Sequence, residues 1–218
     1  MWPLDFDLDS SEYPLQRFQI FLKKKEPRNL VVDLKIREGT FRISNEFASE
    51  FPFPEYNFLH LEWLTLQNPL KSFSTERTPI PGQKRPGLNL GKKLLDIFIY
   101  LARIARNDGL LAYPAYYHNA LLFSRSFHFI NPKKEGEIQA IRKSFSEVSF
   151  KDLAWIIHLN CLRRGNGDIY EWEAEEQVYP LNQTLKDYFD SKKYKEKVKE
   201  AERKLKFSID WKCYKKKM

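Results

Sequence analysis

The residues with the plainest chemical potential are three glycines within ten positions, Gly82, Gly87 and Gly91, in the stretch PGQKRPGLNLGKKLLD. The whole chain has only 8 Gly. Their concentration marks a loop whose backbone needs a positive φ or a close approach to a partner. Arg85, Lys92 and Lys93 add positive charge to it. Leu94, Leu95, Phe98, Leu101, Ala102 and Ala105 follow at helical spacing, and Ile97, Ile99 and Ile104 widen that face, which predicts a deeply packed helix. The amino end of a helix leaves N–H groups without intrahelical partners and carries about half a positive charge. A glycine loop opening such a helix can hold a pyrophosphate. The same spacing also fits a turn-rich connection that only caps the helix. Two familiar phosphate loops do not fit. Gly91-Lys92 is followed by Lys93 where a Walker loop has Ser or Thr. A dinucleotide fingerprint needs a short strand–loop–helix turn, whereas a long segment bearing Pro69, Pro79 and Pro81 precedes this one.

Other chemistries lack their residues. His60, His118, His128 and His158 show neither His-x-x-x-His nor His-Glu-x-x-His spacing, so no metal is expected. There is no Gly-x-Ser-x-Gly elbow. Two cysteines are too few for a disulfide framework or a thiolate zinc site. Cys161 reads as core on a helix beginning near Ser149. Cys213 falls in a basic tail whose lysines could lower its pKa.

The elements that must position these residues follow from periodicity. Pro14 to Lys25 reads as helix or strand. Val32, Leu34 and Ile36 alternate with charges, Arg37 to Thr40 reads as a turn, and Phe41 and Ile43 alternate again, a hairpin pattern. Tyr56 to Gln67 is an aromatic-rich central strand, and Asn68 to Lys84 is loop. After the long helix come a short strand, Leu110 to Tyr113, a short helix from Asn119 to about Ser126, and a strand at Phe127 to Ile130. Ser149 with Asp152 opens a further helix with an apolar stripe at Leu153, Ile156, Leu159 and Leu162, closed by Arg164 to Gly167. The order predicts a mixed α/β sheet flanked by helices, with a helical C-terminal extension.

The stretch from about Tyr56 to Ile130 resembles the GNAT family of N-acetyltransferases. The family pattern is Gln/Arg-x-x-Gly-x-Gly/Ala, then a helix opening with two residues and a Leu pair. Here Pro86-Gly87-Leu88-Asn89-Leu90-Gly91 precedes Lys92, Lys93, Leu94 and Leu95. Gly91 matches the last position, Asn89 replaces the usual Gly, and Pro86 replaces Gln or Arg with Arg85 one residue away. His118-Asn119-Ala120-Leu121-Leu122-Phe123 resembles the family's Asn…Ala…Leu-Tyr stretch. The resemblance implies a GNAT-like domain over 1–148, with 149–218 as the extension packed on it. It implies acetyl-CoA as co-substrate, with pyrophosphate on the amides from Gly87 to Lys92 and pantetheine along the strand end at Leu64 and Leu66. Arg85, Leu88, Asn89, Leu90, Asn119 and Phe123 complete the implied cofactor set, although Asn119 also suits a helix cap. The implied reaction is attack of an amine on the thioester, which needs a base and an acid. His60, Glu62 and Leu64 share one face by a period of two, which makes Glu62 the candidate base and His60 a second candidate. Phe123 stands where the family often has its acid Tyr and cannot donate a proton. Tyr117 and His118, after a strand end, are the remaining candidates for proton donation or substrate contact.

The acceptor implied is a small-molecule or peptide amine. Phe123 and Asn89 leave open a catalytically inactive module of the same fold that binds acyl-CoA or a partner. The net charge of +8 leaves open a third class. Thirteen Lys and Arg against six Asp and Glu lie between Gln183 and Met218, so nearly all the excess sits there. Helical spacing around Lys192 to Phe207 makes this a solvated face or a contact for nucleic acid. No apolar run reaches the roughly 18 residues of a membrane span, and the first residues are acidic where a signal peptide would be basic. A cytoplasmic setting is the expectation.

Overall fold

Alternation of apolar and polar side chains shapes the first half of the chain. Leu-Asp-Phe-Asp-Leu-Asp forms β1 (Leu4–Asp9), which pairs antiparallel with β2 (Leu15–Leu22). β3 (Leu30–Arg42) pairs with β2 and with β4 (Glu55–Leu66), both antiparallel. The 37–40 turn does not form. β3 runs unbroken through Gly39, whose place is set by a neighbour: a Cβ there would lie 3.3 Å from His60 Nε2. The ambiguous segment from Pro14 resolves as strand. Cross-strand rows such as Phe18–Leu34–Leu64 and Ile20–Val32–Leu66 make one sheet face apolar.

The computed structural model describes residues 3–218 and divides into two units. Unit 1 runs to Ala112 and takes in Pro180–Asn182. Its last strand, β5 (Gly109–Ala112), is parallel to β4, a pairing that requires a crossover. α1 (Gly91–Ile104) supplies it. The expected deep packing of α1 does not occur: Phe98 and Ala102 are its buried residues, while Ile97, Tyr100 and Ile104 are 50%, 63% and 62% exposed. Asp108 ties the crossover back to β4, its carboxylate accepting from Asn57 N at 2.8 Å and its amide donating to Asn57 O at 2.7 Å.

Unit 2 comprises Tyr113–Tyr179 and Gln183–Met218. It holds α2 (Tyr117–Phe123), β6 (His128–Phe129), α3 (Pro132–Ser144), α4 (Phe150–His158), β7 (Leu162–Arg164), β8 (Gln177–Pro180), α5 (Gln183–Asp190), α6 (Lys192–Lys204), β9 (Phe207–Ile209) and α7 (Trp211–Lys217). β6 pairs with β8 and β7 with β9, all antiparallel. The core gathers Tyr117, Phe129, Ile138, Ile141, Ile156, Ile157, Leu162 and Tyr170. Asn131, Ser149, Ser191 and Asp210 cap α3, α4, α6 and α7, each side chain accepting an amide of the first turn. α4 ends at His158, so Leu162 belongs to β7 rather than to the helical stripe. The chain is thus mixed α/β. Among the described residues no helix is long and apolar enough to cross a membrane.

Candidate functional site

β4 places the first group of candidates, and an irregularity decides how. Lys35 pairs with Trp63 and Ile36 with Leu61, leaving Glu62 as the extra residue of a β-bulge. The bulge breaks the period of two. His60 lies opposite Arg37 and Trp63 opposite Lys35, on one face, while Leu64 lies opposite Leu34 on the other. His60, Glu62 and Leu64 therefore do not share a face. Glu62 instead joins the Arg37 side, where Arg37 Nε donates to its Oε1 and both side chains remain partly exposed. An ion pair at this exposure contributes little stability, so its effect is to orient the carboxylate.

A groove of about 660 Å³ opens on this face, lined by Leu15, Arg17, Asp33, Lys35, Arg37, Glu62 and Trp63. Arg17 grips Asp33 with two hydrogen bonds of 2.8 Å. His60 does not line the groove. It is buried, its Nε2 is 3.3 Å from Gly39 O, and Phe58 meets its ring edge-on at 6.5 Å. Burial, then the nearby Arg37 charge, holds its pKa below the ordinary value.

The β4–β5 ladder runs from Phe58↔Gly109 to Leu61↔Ala112 and stops there. Residues from Glu62 to Leu66 continue with no β5 residue opposite. The glycine loop returns to this strand end: Asn68 N donates to Pro86 O at 2.7 Å, and a Cβ on Gly87 would sit 3.6 Å from Leu66 O. Arg77, which the sequence reading passed over, donates to Gly87 O at 3.1 Å. The left-handed positions are Gly82 (φ 79°) and Asn89 (φ 60°). Asn tolerates that region better than other side chains, so Asn89 keeps the backbone path a glycine would allow. Leu90 is the N-cap of α1 and offers no side-chain cap, and the first turn contains no acid. Lys92 and Lys93 sit beside those uncapped amides, on the end of the dipole that disfavours cations. A Cβ on Gly91 would meet nothing within 4 Å. Nothing in the fold itself requires glycine there.

Unit 2 holds the second group. Tyr117 and His118 open α2 and line a cleft of about 450 Å³ with Tyr116, Ala154, Ile157, His158, Asn160, Glu171 and Trp172 among its walls. The Tyr117 hydroxyl is buried without a hydrogen-bond partner, and burial raises its pKa. His118 is pushed down to about 4 by burial, then by the charge of His158. Asn119 is not a cap: α2 starts at Tyr117, and Asn119 lies inside its first turn. Phe123 ends the helix, its ring 5.1 Å from that of Phe127. Sequence reasoning missed Arg37, His158, Glu171 and Trp172, whose proximity depends on strand register and helix packing across long separations.

Among the described residues no three His, Cys, Asp or Glu are grouped to hold a metal ion. No family model, no curated protein and no solved structure matches this chain.

Proposed function

We propose that the chain is a GNAT-like acyltransferase that moves an acetyl group from acetyl-CoA to an amine. The observation that carries this reading is the end of β4: a bulge at Glu62, an edge that outruns β5, and beside it a glycine loop leading to the uncapped amino end of α1. An extended pantetheine arm is an amide chain and can pair with a free strand edge at Leu64 and Leu66. The α1 amides, with Lys92, suit the pyrophosphate. Arg85, Leu88, Asn89 and Leu90 form the surrounding loop.

The chemistry assigned to this chain is modest. The amine nitrogen forms a bond to the thioester carbonyl carbon as the C–S bond breaks and the thiolate leaves. Glu62, oriented by Arg37, takes the amine proton directly or through a water. The leaving thiolate takes its proton from solvent, because Phe123 has none to give. Asn89 and Phe123 favour the second reading, a non-catalytic acyl-CoA-binding module.

Titration calorimetry with acetyl-CoA, followed by turnover against a panel of amines, separates these readings. Micromolar binding with turnover is expected, and Glu62→Gln is expected to lower kcat by about 10²-fold. Binding without turnover supports the non-catalytic module. No heat at about millimolar acetyl-CoA removes both. The nucleic-acid reading rests on the excess charge of the C-terminal segment alone, within which Lys195 and Lys204 are each paired with a carboxylate.

A further inference from the structure

The unit 2 cleft is lined by Tyr117, whose hydroxyl its own fold leaves unanswered, and by His118. His118 is only 3% exposed, yet its ring meets other rings alone: Tyr116 stacks on it at 5.2 Å and Phe150 meets it edge-on at 6.4 Å. No described residue hydrogen-bonds its ring nitrogens, and the ring lines the cleft. The Tyr117 hydroxyl is buried and unpartnered. Native interiors rarely leave a polar group in this state, and a ligand nearby is one way to answer it.

The surroundings say what sign of charge the ligand carries. Tyr116 bridges the two imidazoles, its ring 5.7 Å from that of His158. Trp172 and Tyr116 line the cleft, and aromatic rings of this kind attract cations. Glu171 stands exposed at the mouth. Lys134 lies over the Trp172 ring, 4.4 Å from its centre, and its charge is held by Glu137 at 2.8 Å. Arg142 acts on the Tyr117 hydroxyl from α3. His158 is the one imidazole at the rim. A buried imidazole that stays neutral offers a lone pair to a donor.

We propose that this cleft is a binding site for a small primary ammonium whose apolar body lies along Ala115, Ala154 and Ile157. The ammonium donates to His118 and pairs with Glu171, with Tyr116 and Trp172 as the aromatic walls. The inference goes beyond acyl transfer and stands on unit 2 alone, so it survives if acetyl-CoA fails to bind.

The full chain is titrated by calorimetry with 2-phenylethylamine, with 2-phenylethanol as neutral isostere and phenylacetate as anion. The amine is expected to bind about tenfold more tightly than the alcohol, and phenylacetate more weakly than either. His118→Phe keeps the ring packing and removes the nitrogens. Glu171→Gln changes only an exposed carboxylate. Each is expected to weaken the amine about fivefold or more and to leave the alcohol unchanged. Equal affinity for amine and alcohol overturns the proposal. So does an amine that shows no binding by about 10 mM, a weak limit even for a fragment of this size. If His118→Phe does not fold, Glu171→Gln decides: unchanged amine affinity in that variant refutes the assignment.

Discussion

Gly136 sits inside α3, where replacement by alanine would ordinarily stabilise a helix by about 1 kcal/mol. Here the sign should reverse. A methyl at 136 would lie 2.5 Å from the Val198 carbonyl oxygen, 2.6 Å from Ala201 Cβ and 3.0 Å from the Glu202 amide nitrogen. Non-bonded carbons prefer about 3.5–4.0 Å, so the backbones of α3 and α6 must part by about 1 Å. None of the three obstacles is the end of a flexible side chain. Separation also strains the bonds that bind α6 to its neighbours, including Lys143–Glu202 at 2.8 Å and Tyr194 Oη to Phe129 O at 2.7 Å. Overpacking costs about 1–3 kcal/mol in general and somewhat more against backbone. With about 3–4 kcal/mol for the clash, less about 1 for propensity, Gly136→Ala is expected to lose about 2–3 kcal/mol. For a chain of this size that lowers Tm by about 5–10 °C. Urea unfolding followed by far-ultraviolet circular dichroism reads the loss as a lower midpoint with an unchanged slope. A variant that melts with or above the parent would refute the close α3–α6 contact.

Three further outcomes are expected. Gly91→Ala should leave stability within about 1 kcal/mol, since its Cβ meets nothing, yet weaken acetyl-CoA about tenfold in calorimetry; full retained affinity would count against pyrophosphate on the α1 amides. Cys213→Ser opens a disulfide to Cys161 that spans 52 residues. The lost restraint on the unfolded chain is worth about 4 kcal/mol, and a melt identical with and without a thiol reductant would contradict it. The folded-state pKa of His118, about 4, lies below the ordinary 6.5. Below about pH 6.5 the unfolded chain takes up a proton the folded chain refuses, so this stability is whole above pH 6.5 and lost as pH falls toward 4. Urea midpoints should flatten with pH in His118→Phe, and parallel profiles for variant and parent would defeat the reasoning.

Strands and helices with a strong period were legible: β4, α1, β5 and the Ser149-capped α4 lie where their patterns put them, apart from their ends. The failures have physical causes. The Arg37–Thr40 stretch carries turn-like residues, but Gly39 is there to make room for His60, a reason visible only once β4 lies beside β3. α3 shows only a short apolar stripe because its buried residues mix Ile138, Ala140 and Ile141 with the charged Lys134, Glu135 and Glu137. Tyr170 Oη donates to Glu137 at 2.8 Å, Phe129 N donates to Glu135 at 3.1 Å, and Lys134 pairs with Glu137 one turn on. A hydropathy period cannot see such a face. At the site, the glycine loop and α1 were legible from composition, whereas the bulge at Glu62 was not. A bulge belongs to a pair of strands and leaves no mark in one of them.

The cysteines tie the basic tail to the rest of unit 2. Cys161 follows α4 rather than lying on it, and Cys213 lies on α7; their Cα atoms are 5.6 Å apart and their sulfurs are bonded. Cys213 is therefore not a reactive thiol in a loose arm. The pairing weighs against the expected cytoplasmic setting, since disulfides persist best in oxidising surroundings. Asp210 caps α7, Tyr214 Oη donates to Asp152 at 3.0 Å, and Lys217 Nζ reaches Leu159 O at 2.7 Å. The last helix is thus stitched to the α4–β7 corner by a covalent bond and several polar ones. The positive excess of the chain is carried on folded, capped helices rather than on a free end. Lys195 with Asp190 and Lys204 with Glu200 pair locally, yet thirteen basic residues against six acidic ones leave a positive excess on these helices. A second set of positive charge sits at the amino end of α1, where Lys92 and Lys93 stand beside uncapped amides with no acid in the same turn.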